Sequence, residues 1–315
     1  MTDFDSHTPA YHNLNGRNQE AFIHTCTDDR AAAPTVADRS RPNSAYGITT
    51  TEAFVITNRF GQVLRSVNDW ERLAPPKSRT HWKDNRSAKE LARAWFRPGR
   101  AAVPFELTKM FATNEMTNRT VLTKGVAEYH SSFDSCRGEP SNCDLMLYGH
   151  AGDVGLVIGE EAKADESFAD TVENTLKKAN RRPRTNFPTR LSLLVKALFN
   201  AEPDCLSRIG YQLLSGVAGL LAEGQRCEAG CAVFVVHEFQ SSCCSKENIE
   251  YNTKDLISFA NAIGFSGEIR PGRLYGPILV PGSQYIARIP LFLGKVVTEL
   301  SELPGAPGSR PGFGR

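Results

Sequence analysis

Residues 232–239 read AVFVVHEF, and no other stretch limits the fold as tightly. Apolar residues occupy both faces of this run. A strand with one wet face alternates apolar and polar residues, whereas a strand packed on both faces does not. The run therefore predicts a central strand, in a sheet covered by helices on both sides. A second apolar run, Val154-Gly155-Leu156-Val157-Ile158, predicts another buried strand, extending through 163. Residues 53–56, 121–129 and 145–148 predict three more strands.

The helical signals lie between these runs. Ser87 and Glu90 have the spacing of a capping box, opening a helix that must end before Arg97-Pro98-Gly99. Residues 105–111, 168–178, 190–199 and 256–263 also read as helical. The strongest helix signal spans 204–224, where Leu206, Ile209, Leu213, Val217, Leu220 and Leu221 form one stripe. Gly210, Gly216 and Gly219 weaken its intrinsic propensity, so packing must hold it. Strands, then helices, then strand and helix predict an α/β protein with a mixed central sheet flanked by helices.

Residues 1–48 are polar and lack an apolar period, so a disordered or weakly ordered leader is expected there. Residues 304–315, PGAPGSRPGFGR, read as a flexible tail. A single domain is expected over 49–303. No apolar run is long enough to cross a bilayer, and the N-terminus has no secretory signal, which points to the cytoplasm. The net charge is +2, so affinity for nucleic acid has to come from local patches. There are 8 cysteines and no CxxC, which suits reduced thiols. Cys227, Cys231, His237, Cys243 and Cys244 leave a zinc site as an alternative.

The chemistry concentrates at GEEAKADES, residues 159–167. Two apart in a strand means one face, so Glu161 and Lys163 point together and Glu160 points away. A hairpin through Gly149-His150-Ala151-Gly152 brings Asp144 beside Glu161, giving a D-x16-E-x-K constellation. Two carboxylates suit Mg2+ or Mn2+, which accepts phosphate oxygens and activates a bound water. A lysine beside them can orient that water or steady the charge developing on phosphorus. In this reading Glu160 faces solvent.

WKDNRSAKELARAW, DLMLYG, EEAKADESF, RIGYQLLSGVAGLLAE and AVFVVHEF occur in this order across residues 50–290. Together they resemble an uncharacterised bacterial domain family grouped with the PD-(D/E)XK nuclease-like superfamily. The resemblance implies a restriction-endonuclease-like core. It matches Asp144, Glu161 and Lys163 to the signature acid, acid and lysine. It adds Glu128 as an extra metal-binding acid and Gln212 as a polar residue on the helix facing the site. Cys143 stands where the superfamily has proline, and Ser215-Gly216 replaces a His-Arg pair.

The implied activity is Mg2+- or Mn2+-dependent hydrolysis of phosphodiesters in nucleic acid, DNA favoured over RNA, with a homodimer left open. The alternative is a catalytically inactive member of the fold that binds nucleic acid or a protein partner. Lys177, Lys178, Arg181, Arg182, Arg184 and Arg190 lie in an acid-free stretch that could neutralise phosphates, or could be a solvated helix end. Trp82 could stack on a base or anchor the following helix. His237 reads as a hydrogen-bonded histidine at a sheet edge, with a catalytic base as the other reading.

Overall fold

The apolar run at 232–239 does lie inside a sheet, with a parallel neighbour on each side. The structure is a computed structural model that describes residues 54–97, 100–134, 141–182, 185–282, 286 and 288–300. The expected leader and tail, Cys26, Cys136 and Arg184 lie outside the described residues.

In chain order the strands and α-helices are β1 (Val55–Asn58), β2 (Val63–Leu64), α1 (Val67–Leu73), α2 (Ser87–Trp95), α3 (Phe105–Phe111), β3 (Thr120–Ser131), β4 (Ser141–Ala151), β5 (Val154–Lys163), α4 (Val172–Asn180), α5 (Phe187–Leu198), α6 (Tyr211–Arg226), β6 (Cys231–Gln240), α7 (Lys246–Ala262), β7 (Arg273–Ile278) and β8 (Leu291–Glu299). The strands form one sheet in the order β2-β1-β3-β4-β5-β6-β8-β7. β3, β4 and β5 make an antiparallel meander, while β5, β6 and β8 run parallel. The sheet is therefore mixed.

Helices cover both faces. On one face, Leu91 and Trp95 of α2 and Leu107 and Met110 of α3 pack on Leu145, Ile158 and Val233. On the other, Leu213, Val217 and Leu220 of α6 and Phe259 of α7 pack on Met146, Val157 and Phe234. Each apolar side chain so buried contributes roughly 1.5–3 kcal/mol. Trp82 packs against the α2 side of the core, so the anchoring reading holds for it.

Several expectations shift in position. Ser87 is the first residue of α2 and does not cap it; Arg86 stands at the cap without a side-chain bond. Glu90 does reach back, but to the Asn85 N–H at 2.9 Å. The stripe at 204–224 is broken: a short turn of 3-10 helix at Leu206–Arg208 precedes α6, which begins only at Tyr211. Gly210 sits at the break, where a Cβ would lie 2.6 Å from Asp255 Oδ2 and 2.7 Å from Phe168. That close approach fixes where α6 starts. α1, β2, β7 and β8 have no counterpart among the sequence expectations.

Candidate active site

The end of β5 is where the sheet opens. β4 and β5 pair from Ala151↔Val154 down to Leu145↔Glu160, and there the pairing stops. Asp144 fills the gap: its Oδ2 accepts the Ala162 N–H at 2.8 Å, in place of a strand bond. The carboxyl groups of Asp144 and Glu161 are near enough to act on each other. Lys163 Nζ donates to Glu161 Oε1 at 2.7 Å and to the Ala162 carbonyl at 3.1 Å, and lies 5.3 Å from the centre of the Phe168 ring. Gln212, in the first turn of α6, donates to the same Glu161 oxygen. The four residues singled out on β4, β5 and α6 thus meet at one point.

Burial sets their protonation. It pushes the Glu161 carboxyl up to about 8, aided by the nearby Asp144 charge, against the pull of Lys163. Asp144 is also raised by burial, with Lys163 and the Ala162 N–H opposing. Burial acts against the charge on Lys163, but Glu161 and Asp144 together outweigh it and hold the ammonium above its usual range. The Glu161 and Lys163 side chains are only 2% and 4% exposed.

Glu128 stands on the open side. It lies in β3 between the pairs Ala127↔Leu145 and Tyr129↔Cys143, with φ 51°, in the left-handed region. A non-glycine residue there costs of order 1–3 kcal/mol, a strain found most often at functional positions. Asn142 Nδ2 donates to its Oε2 at 2.7 Å. Burial, then the Asp144 charge, push its carboxyl up to about 8.

The Asp144 charge raises both the Glu161 and the Glu128 carboxyl, so the three acids stand close together, with the Lys163 ammonium among them. Asp144 and Glu161 offer hard oxygen ligands, which fit Mg2+ or Mn2+ keeping several of its waters. Among the described residues, no group of three or more His, Cys, Asp or Glu side chains is placed to hold a metal ion. The pair therefore carries the metal reading, with Glu128 beside it. The zinc alternative has no such group either. Cys231 opens β6 and Cys243 and Cys244 follow its far end, roughly 30 Å away at the usual strand rise.

Two site neighbours, Glu166 and Asp165, escaped the sequence reading. Glu166 acts on both Asp144 and Lys163, raising each. Asp165 makes the turn that places it, with φ 57°, and is tied to α7 through Ser245 N at 2.8 Å and Asn248 Nδ2 at 3.0 Å. Glu238, paired in register with Lys163, forms a buried ion pair with Lys295 of β8 at 3.0 Å. Glu166 lay in full view within GEEAKADES, but nothing local distinguished it from a solvated acid.

Glu160 corrects the solvent-facing expectation. It points away from Glu161 as the period required, yet it is fully buried, because α2 covers that face. Its Oε2 accepts from Trp95 Nε1 at 2.9 Å, and its Oε1 meets His237 Nδ1 at 2.5 Å. His237 Nε2 lies 2.8 Å from Thr298 Oγ1. His237 is thus the hydrogen-bonded histidine expected, but on a central strand, and on the sheet face opposite Lys163.

The basic stretch does not form one acid-free face. Lys177 pairs with Glu173 and Lys178 with Asp170, both exposed. Arg190 holds the nearly buried Asp134 with two bonds, at 2.9 and 3.3 Å. Arg181 and Arg182 are exposed at the end of α4.

The start of α6, and hence Gln212, depends on Asp255 of α7. Both its oxygens accept the Gly210 N–H, at 3.1 and 3.0 Å. Burial pushes the Asp255 carboxyl up to about 6, although the Gly210 N–H favours the charged form. A carboxyl raised on folding holds its proton more tightly in the folded state. Its contribution is therefore best below the unfolded value near 3.8 and is lost as pH rises through about 6. Asp255→Asn keeps an acceptor for Gly210 and removes the charge. Urea unfolding between pH 4 and 7 should show the variant gaining on the wild type, by up to about 3 kcal/mol at the top of that range.

No helix among the described residues is long and apolar enough to cross a membrane. Residues 63–300 match a family described as a domain of unknown function, DUF6946, and the chain belongs to that family. No curated protein matches the chain, and no solved structure matches it.

Proposed function

We propose that this DUF6946 protein has a restriction-endonuclease-like core and is a metal-dependent nuclease that hydrolyses phosphodiester bonds in nucleic acid. The observation that carries the reading is the meeting of Asp144, Glu161, Lys163 and Gln212 where β4 parts from β5. This point lies at the carboxyl end of β5, next to the parallel strand β6, close to where open α/β sheets bind their ligands.

Asp144 and Glu161 would hold Mg2+ or Mn2+. When bound, the cation supplies a water of lowered pKa and Lewis-acid stabilisation of the phosphoryl oxygens. Gln212 fixes the Glu161 carboxyl by donating to Oε1. Lys163 stays protonated, so its work is to orient the attacking water and to face the negative charge growing on phosphorus. Substrate approaches over Asp144 and Glu128, the half-buried side.

A second reading is favoured by the closure of the Glu161–Lys163 pair, which is buried and bonded to itself. A catalytically inactive nucleic-acid or protein binder of the same fold would keep such a pair. Incubation of the purified protein with single- and double-stranded DNA and RNA, with Mg2+, with Mn2+ and with chelator, separates the two. Metal-dependent cleavage is expected, together with Mn2+ binding by calorimetry that Glu161→Gln removes. Absence of both cleavage and metal binding across that panel overturns the nuclease reading.

A further inference from the structure

A cavity of about 460 Å³ opens on the Glu128 side of the candidate site. Its size is that of a pocket for a small organic group. The β1–β2 turn forms one wall, through Arg59 and Phe60, and residues after α1 form an apolar floor with Leu73 and Pro75. Glu128 and Asn142, bonded to each other, form the polar end.

Phe60 is 73% exposed, more than any other large hydrophobic residue described. The Arg59 guanidinium lies 4.8 Å from the centre of its ring and also bonds the His130 imidazole at 2.8 Å. The Phe60 ring is therefore backed by a cation while presenting an aromatic surface to water. An apolar floor, an aromatic lip and an amide–carboxyl edge together suit a flat heterocycle that carries hydrogen-bonding groups on its rim. Glu128 stands opposite Asp144 between the pairs Ala127↔Leu145 and Tyr129↔Cys143, so the polar end adjoins the candidate site.

The geometry points to a nucleobase subsite: the cavity between Phe60 and Asn142 takes one unstacked base of the substrate strand and leaves the adjoining phosphate beside Asp144. The substrate is then a strand with an unpaired base, rather than a continuous duplex. The identity of that strand rests on the nuclease reading, but the binding itself can be measured without cleavage.

A short fluorescent single strand of DNA is titrated into the Glu161→Gln protein with chelator present. It is then replaced by strands in which each position in turn is abasic. One position is expected to matter, its loss weakening binding by about 5- to 100-fold, the range for stacking of one base. In the Glu161→Gln/Phe60→Ala protein that same abasic step should cost nothing, and Phe60→Tyr should restore it. Phe60 is exposed, so the substitution leaves the core untouched. A flat abasic scan, no binding of any strand, or an abasic penalty that survives Phe60→Ala overturns the subsite. Cleavage by wild type with a flat scan sinks the subsite alone. A Phe60-dependent base effect with neither cleavage nor metal binding by the wild type sinks the nuclease reading alone.

Discussion

Lys163→Met is expected to lower metal-dependent cleavage by about a thousandfold, the scale set by removing one charge-stabilising donor or one proton-handling group. Methionine keeps the length of the side chain and can rest against Phe168 as the lysine stem does. The fold should survive. Removing the ammonium is tolerable because burial and the Asp144 charge already push the Glu161 carboxyl up to about 8, so it takes up a proton readily. Mn2+ binding is the readout that separates roles. It should persist or tighten in Lys163→Met, since the ammonium competes with the metal for Glu161 Oε1. Unchanged cleavage in the variant would remove Lys163 from the chemistry.

The other large effect lies on the far face of the same strand. Glu160→Ala should destabilise the protein by roughly 2–5 kcal/mol, as for leaving two buried donors without their acceptor. The loss leaves Trp95 Nε1–H and His237 without their acceptor in a fully dry interior. Glu160→Gln, which keeps an acceptor for Trp95, should recover much of that. Urea unfolding gives both numbers, and the coupling to His237→Ala should be strongly non-additive. A cost under 1 kcal/mol for the alanine variant would mean that the network is not a significant source of stability.

The site was legible where its logic was local. The two-residue period put Glu161 and Lys163 on one face. The hairpin through Gly152, with φ 61°, delivered Asp144 to the end of β5. Distant partners were not legible. The period correctly turned Glu160 away from the site, but nothing near it says that a helix covers that side. Its partners lie 65 residues before it and 77 after it. Arg190 read as one of the cations for phosphate or, alternatively, for solvent, and nothing local pointed to Asp134, 56 residues away, which pairs with it. β8, LFLGKVVTE, has glycine and lysine in a buried strand. The lysine is tolerated because Glu238 pairs with it and Thr253 of α7 accepts from it, both facts of tertiary structure. The break at Gly210 was hidden too, since an unbroken apolar stripe runs through it.

The partners of Glu160 also set an order of assembly during synthesis. Trp95 leaves the ribosome before β5, whereas His237 and Thr298 follow it. A nascent chain that has just completed GEEAKADES holds Glu160 with one of its two direct partners, and β5 with neither β6 nor β8 beside it. Gln212 and Asp255, which steady the other face, also come later. The chain therefore carries Glu160 for some 135 residues, or roughly 7–30 s at ordinary elongation rates, before the last strand closes its network. The sheet that positions the candidate site is complete only when nearly all of the chain has emerged, so under the proposed nuclease reading a fragment released early is expected to be inert toward nucleic acid.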